Sequence, residues 1–341
     1  MSGKLRIGTR DSQLAVWQAT WVQQLLQKEN IESELVYIKS EGDIDTVTPL
    51  YALGVQGVFT KTLDAALLNN RIDIAVHSMK DVPVQLAQGI RQAAVLKRAS
   101  HKDIFVPHPD LENPEAIFGM GELEQKDIII TSGGGATTKE VVSTRMIDTG
   151  PLVDAIIATS SIRRIAQWKK RYPHHQVVDI RGNVNTRLRK LKESNWSGAI
   201  FAAAGLERIG LRPDNAIDLD WMLPAPAQGA VMVVCREDDE NAFNACQPFN
   251  DPDTALCTKI EKDFLKQMMG GCSTPISALA VIKDKYVHFI YQVCSPDGSD
   301  FVESGAVSPI EGSANLGVEE AEKLLADPYV QKLVETIRNG K

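Results

Sequence analysis

Paired cysteines are missing from this chain: its five, Cys235, Cys246, Cys257, Cys272 and Cys294, are an odd number, widely spaced, with no Cys-x-x-Cys among them. That spacing argues against both a disulfide framework and structural zinc. No apolar run approaches the roughly 18 residues of a membrane span. The opening residues, Met1-Ser2-Gly3-Lys4-Leu5-Arg6-Ile7-Gly8, lack the apolar core of a signal peptide. The expectation is a cytoplasmic protein with no membrane partner. Internal repeats and low-complexity segments are absent. So is a basic balance: a net charge of -7 argues against a general nucleic-acid binder, so any basic cluster must serve a particular anionic ligand.

What is present is an ordinary globular composition, 43% hydrophobic and 24% charged, in 341 residues. That length exceeds one core, so two or three domains are expected. Leu5-Arg6-Ile7-Gly8-Thr9 reads as a strand. Asp11 or Ser12 caps the following helix, whose apolar face includes Leu14, Trp17, Trp21, Leu25 and Leu26. Arg10 and Ser12 therefore stand at a strand-to-helix turn, where open α/β sheets bind ligands and a helix N-terminus favours anions; a solvated surface role for Arg10 is equally open. Glu34-Leu35-Val36-Tyr37-Ile38 completes a βαβ start. Residues 40–56, broken by Gly42, Pro49 and Gly54, read as a lid or as a variable connection. A helix over 60–69 and a buried strand over 72–76 lead to His77-Ser78-Met79-Lys80-Asp81-Val82-Pro83. Asp81 can steady a cation or handle a proton there, and Lys80 can hold an anionic group. A simple Lys-Asp turn is the alternative, and His77 reads as a hydrogen-bonded structural residue.

Asp127-Ile128-Ile129-Ile130-Thr131 has strand character, and the glycine run after it lacks the ending of a phosphate loop. Beyond the strand Ala155-Ile156-Ile157-Ala158, basic residues gather. Between 159 and 192 stand Arg163, Arg164, Lys169, Lys170, Arg171, Arg181, Arg187, Arg189, Lys190 and Lys192 against one acid, Asp179. Lys169, Lys170, Arg171 and Lys190 read as solvated helix faces. Arg163, Arg164, Arg181 and Arg187 sit near strand-to-helix turns, where guanidinium forks suit carboxylates or phosphates. Strands over 177–180 and 199–202 follow, the second leading to the turn at Gly205-Leu206-Glu207-Arg208.

Leu223-Pro224-Ala225-Pro226-Ala227-Gln228-Gly229-Ala230 reads as a hinge back to the first domain. A helix over 254–268 precedes Gly270-Gly271-Cys272-Ser273-Thr274-Pro275. Two glycines and a proline make that stretch a loop in which a thiol can be reached, against the ordinary reading of cysteine as a small buried hydrophobe. An antiparallel meander over 276–282, 287–293 and 301–303, with helices over 318–325 and 330–339, closes a small α+β third domain.

These pieces together resemble the porphobilinogen deaminase (hydroxymethylbilane synthase) family. The likeness rests on Thr9-Arg10-Asp11-Ser12-Gln13-Leu14-Ala15, the stretch from Asp73 through Pro83, Thr159-Ser160-Ser161-Ile162-Arg163-Arg164, Arg181-Gly182-Asn183-Val184-Asn185-Thr186-Arg187-Leu188, Ala204-Gly205-Leu206, Gln228-Gly229-Ala230 and Gly270-Gly271-Cys272. It implies an α/β fold of two type II periplasmic-binding-protein-like domains around a cleft: residues 1–102 with 228–247, and 103–227. A third domain, 248–341, would carry the cysteine. It also implies a monomer whose substrate is porphobilinogen. Cys272 would hold a dipyrromethane cofactor through a thioether, and four substrate units would join it in turn, each losing ammonia through a cationic azafulvene. Asp81 is implied as the catalytic aspartate. The resemblance assigns Lys80, Asp81, Thr159, Ser160, Ser161, Arg163, Arg164, Arg181 and Gly182 to the cofactor, and Arg10, Ser12, Gln56, Phe59, Arg187, Arg208 and Gln228 to the substrate.

Three positions depart from the family pattern: Gln56 stands where lysine is usual, Ala227 where glycine is usual, and Met269 where glutamate is usual. The stretch 112–153 is also longer than typical. A two-lobed solute-binding protein and an RNA-binding protein are the rival readings of the arginines. The missing signal peptide and the Gly-Gly-Cys loop count against the first, the net charge and the want of an aromatic platform against the second.

Overall fold

The structure, a computed structural model, describes residues 4–39, 60–118, 131–132, 154–268 and 274–339. Its first sheet begins with β1 (Leu5–Thr9), β2 (Ser33–Tyr37) and β3 (Ile74–Ser78), all parallel, joined through α1 (Gln13–Lys28) and by way of α2 (Lys61–Leu68). β4 (Ile90–Val95) follows. The chain then leaves for the second sheet and returns with β11 (Val231–Arg236), which inserts antiparallel between β3 and β4 to give the order β2-β1-β3-β11-β4. Apolar cores form on both faces of this sheet, one around Ile7, Val22, Leu26 and Val233, the other around Leu63, Leu67, Ile72 and Met232. Two covered faces explain why its central strands β3 and β11 read as nearly continuous apolar runs.

α1 starts where Ser12 accepts the Ala15 N–H at 3.4 Å. The residues it buries are Gln18, Ala19, Val22 and Leu26. That face is rotated from the expected stripe: Leu14, Trp17, Trp21 and Leu25 are half-buried. Trp17 lies tilted on Trp21 with ring centroids 5.5 Å apart. It turns toward the second lobe, where the Arg208 guanidinium stands 5.7 Å from its ring.

The second sheet repeats the plan of the first. β5 (Asp103–Pro107) is the antiparallel insert, β7 (Ile156–Ala158), β8 (Gln176–Val178) and β9 (Gly198–Ala202) are the parallel set, and β10 (Ile217–Asp218) lies at the edge, in the order β10-β5-β9-β7-β8. Its helices are α3 (Ile162–Arg171), α4 (Val184–Lys192) and the short α5 (Ala203–Glu207). Each sheet thus takes its antiparallel strand from beyond a crossing, which is the type II periplasmic-binding-protein arrangement. No sequence repeat announces it, because burial on two faces asks only for apolar residues and leaves their identities free.

The two crossings lie side by side. The Leu96 N–H donates to the Val231 carbonyl at 2.9 Å, and the Ala99 N–H to the Gly229 carbonyl at 3.1 Å. Gly229 has φ +86°, and a Cβ there would stand 2.5 Å from the Ser100 carbonyl oxygen, so only glycine fits. Ala227, two residues earlier, is wholly buried yet holds φ +62°.

After α6 (Glu240–Cys246), α7 (Pro252–Met268) packs against a sheet of β12 (Ile276–Lys283), β13 (Tyr286–Cys294) and β14 (Phe301–Pro309). The two-residue strand β6 (Thr131–Ser132) adds parallel to β14; it is the only part of the 119–153 stretch among the described residues. β14 runs six residues further than the sequence pattern indicates, because Gly305 pairs with Ile290 where a side chain would crowd the Phe289 carbonyl. α8 (Leu316–Leu325) crosses α7 closely at Gly317, and α9 (Pro328–Asn339) ends the described chain. Phe264, Phe289 and Tyr291 form the aromatic centre of this core. Each buries enough apolar surface to contribute about 1.5–3 kcal/mol.

Candidate active site

The carboxyl ends of the parallel strands of both lobes meet across the crossings. Asn185 at the start of α4 donates to Gln13 at the start of α1, with Nδ2 to Oε1 at 2.8 Å. Into this junction the first lobe sends Arg10, Ser12, Lys80 and Asp81. The hydroxyl of Ser12 is engaged as the α1 cap. Residues Met79–Asp81 form a single 3-10 turn after β3, pinned by the Met79 N–H on the Ala230 carbonyl at 3.0 Å. That turn leaves Asp81 exposed and Lys80 half-buried. Burial draws the Lys80 ammonium down to about 8; Asp81 and Asp103 oppose this, while Arg164 and Arg163 add to it.

The second lobe supplies the hydroxyl turn and the arginines. Ser160 accepts the Ile180 N–H at 2.9 Å and donates to the Ile180 carbonyl at 2.8 Å, tying the turn before α3 to the turn before α4. Thr159 is buried and accepts the Ser161 N–H at 3.3 Å. Gly182 has φ +111°, which lets Asn183 cap α4 through the Thr186 N–H at 3.0 Å. Arg187 folds back to donate to the Gly182 carbonyl at 2.8 Å. Burial lowers its guanidinium to about 10, with Arg164 and Arg181 adding to the effect and Asp81 opposing it. Arg208 donates to the Gly229 carbonyl at 2.7 Å and is likewise lowered to about 10 by burial.

Arg163 and Arg164 are buried, and both turn onto a carboxylate the sequence reading passed over. Asp103, fully buried at the head of β5, stands 2.7 Å from each guanidinium. Burial pushes its carboxyl up, but Arg163, Arg164, Lys80 and a Gln228 hydrogen bond outweigh that and hold it down to about 2. Gln228 donates from Nε2 to Asp103 at 2.9 Å and to the His101 carbonyl at 2.8 Å, and accepts from Lys80 at 3.4 Å. An acid opening the apolar run Ile104-Phe105-Val106 was the available signal.

Three readings need correction. Lys170 is not a solvated helix charge: its ammonium lies 3.1 Å from the Phe301 ring centroid, and burial lowers its pKa. Arg171 likewise stacks on Trp221 at 4.9 Å, because the third sheet and the 219–223 segment pack on this helix. His77 is structural, but its buried Nε2 has no hydrogen-bond partner among the described residues, and burial drops its pKa to about 4. Cys272, Gln56, Phe59, the 40–56 stretch and Met269 lie outside the described residues.

Two family models match the chain: porphobilinogen deaminase, dipyromethane cofactor binding domain, over residues 5–244, and porphobilinogen deaminase, C-terminal domain, over residues 255–326. The chain belongs to the porphobilinogen deaminase family. Named porphobilinogen deaminases include one from Geobacter sulfurreducens, 37% identical over 95% of this chain and 92% of the relative. The one from Geobacter metallireducens is 38% identical over 97% and 94%. That from Desulforamulus reducens is 34% identical over 100% of both. Among solved structures, the methionine binding protein MetQ aligns over 74% of this chain and 92% of its own at 13% identity with a TM-score of 0.39; the fold class rests on the strand order instead.

As a porphobilinogen deaminase the chain is a transferase of tetrapyrrole biosynthesis, a hydroxymethylbilane synthase, with dipyrromethane as its cofactor. The site suits such a group. Buried N–H donors on Arg163 (Nε), Arg181 (Nη1) and Arg208 (Nε) have no partner among the described residues, and an acid-bearing pyrrole chain brings carboxylates to satisfy donors of this kind. No described helix is long and apolar enough to cross a membrane, and no His/Cys/Asp/Glu cluster among the described residues could hold a metal.

Proposed function

We propose that this chain joins four porphobilinogen molecules head to tail, each with loss of ammonia, on a dipyrromethane carried by Cys272, and releases the linear tetrapyrrole by hydrolysis. The dipyrromethane supplies the nucleophilic pyrrole carbon from which the product grows. Arg10, Arg181, Arg187 and Arg208 hold the acetate and propionate carboxylates, and Lys80 adds a cation from the opposite lobe. Thr159, Ser160, Ser161 and Gly182 shape the turns that present these groups. Asp81, open to solvent and beside Lys80, steadies the positive charge that develops as ammonia leaves and passes protons to and from the pyrrole nitrogens. Ser12, Gln56, Phe59 and Gln228 complete the substrate's surroundings. The division is 1–102 with 228–247, 103–227 and 248–341, and the working form is a cytoplasmic monomer that binds no nucleic acid.

The observation that carries this reading is that cations of both lobes meet in an acidic protein: Lys80 of the first reaches Gln228, which is bonded to the same Asp103 that Arg163 and Arg164 of the second pair with. The experiment is intact mass with turnover. Purified protein carries an adduct of two pyrrole units that disappears in Cys272→Ser along with porphobilinogen consumption. An unmodified wild-type mass in an active enzyme, or an adduct that survives Cys272→Ser, overturns the proposed attachment.

A further inference from the structure

Asp103 is the first residue of β5, where the outward crossing ends, and Gln228 lies on the return crossing. Between them they engage Lys80 of the first lobe and Arg163 and Arg164 of the second. Arg164 donates from Nε and Nη2 to Asp103 and from Nη1 to the Ile200 carbonyl at 2.8 Å. Three of its five N–H donors are thereby engaged. Arg163 donates to the Leu223 carbonyl at 2.8 Å and pairs with the other Asp103 oxygen. The Gln228 carboxamide has one workable orientation: its nitrogen faces the Asp103 and His101 oxygens, and turning it over would set acceptor against acceptor. Its oxygen is thereby left for Lys80.

We propose that Asp103 is the positioning residue of the site: through Gln228 it fixes Lys80 of the first lobe relative to Arg163 and Arg164 of the second, setting the spacing of cations that the anionic ligand meets. This rests on the family's activity. One carboxylate between two guanidinium groups also reduces their summed charge from two to one, so an entering carboxylate meets an arranged cation instead of two that repel each other. Arg164 meets the ligand from the place that Asp103 fixes.

Asp103→Asn keeps the shape and removes the charge. In folded protein, kcat/KM for porphobilinogen is expected to fall about 100-fold, the order that misplacing a site by an ångström costs. KM should rise, and intact mass should show most chains without the two-pyrrole adduct. A purely structural role would lower the melting temperature while leaving KM and adduct occupancy of the folded fraction at wild-type values; that result overturns the proposal. If the single variant does not fold, Asp103→Asn with Arg164→Gln removes one of the two stranded cations. The pair should then be soluble and, because the Gln228–Lys80 link still loses its anchor, show a KM above and an adduct occupancy below those of Arg164→Gln alone; a pair equal to Arg164→Gln in both refutes action through Gln228. Wild-type protein lacking both adduct and turnover would instead contradict the family activity, so the two failures are separate.

Discussion

Lys80 and Asp81 are neighbours in one turn with opposite surroundings, and their variants should separate accordingly. Asp81 is exposed, so Asp81→Ala is expected to fold with a melting temperature within a few degrees of wild type while turnover falls roughly 100-fold or more. Near-normal porphobilinogen consumption would remove Asp81 from the chemistry. Lys80, lowered to about 8 by burial, is cationic below that pH and neutral above it. Affinity for an anionic ligand should therefore weaken as pH rises through about 8, seen as a rising KM. The sign for stability is opposite. The unfolded lysine keeps its proton up to about 10.5, so between the two values the unfolded chain binds more protons and this group's contribution to stability rises with pH. Lys80→Arg should move the KM break upward, and an unmoved break would assign it to another group.

At the scale of elements, the crossing at 225–230 holds a conformational tension that the sequence hinted at through Ala227. An alanine with φ +62° sits in the left-handed region, at a cost of roughly 1–2 kcal/mol that glycine would not bear. Ala227→Gly relieves this but loses a buried methyl and adds freedom to the unfolded chain, effects of about 0.8 and 0.4–1 kcal/mol. The net change should lie within about 1 kcal/mol of zero. Ala230→Gly, also buried but without a positive φ, should be the more destabilising by at least about 1 kcal/mol in denaturant unfolding. Equal losses would show that Ala227 is unstrained. Strands such as β1, β3, β7 and β11 were legible because burial on two faces leaves an apolar run, and the start of α1 was legible from its cap at Ser12. β4 was not: Arg91 and Gln92 interrupt its pattern, and Arg91 is accommodated by Glu240 at 2.8 Å and by the Phe243 ring at 4.1 Å, partners about 150 residues away in sequence. Arg163, Arg164, Arg181 and Arg187 are the four whose positions suit anions, yet Arg163 and Arg164 turn inward to Asp103, a pairing that only the meeting of β5 with α3 creates.

At the scale of the whole molecule, Glu261 ties both crossings to the third sheet. It lies fully buried on α7 and pairs with Arg98 of the outward crossing. It also accepts the Ala227 N–H of the return crossing at 2.6 Å and the Ala280 N–H of β12 at 2.8 Å. Its place among Cys257, Ile260, Phe264 and Leu265 on the buried face of α7 was a visible anomaly, an acid in an apolar stripe. Glu261→Gln would turn an amide nitrogen toward one of these donors and strand Arg98, and is expected to cost about 3–5 kcal/mol in unfolding free energy. A loss below about 1 kcal/mol would show that the joint is dispensable.

The interleaving of the two sheets has a consequence for how the chain is made. β11 is an interior strand of the first sheet, yet it emerges from the ribosome after every strand of the second. Until then β4 has no neighbour within its own sheet, so the N-terminal lobe must wait, its unpaired edge shielded, while the lobe synthesised later can close first.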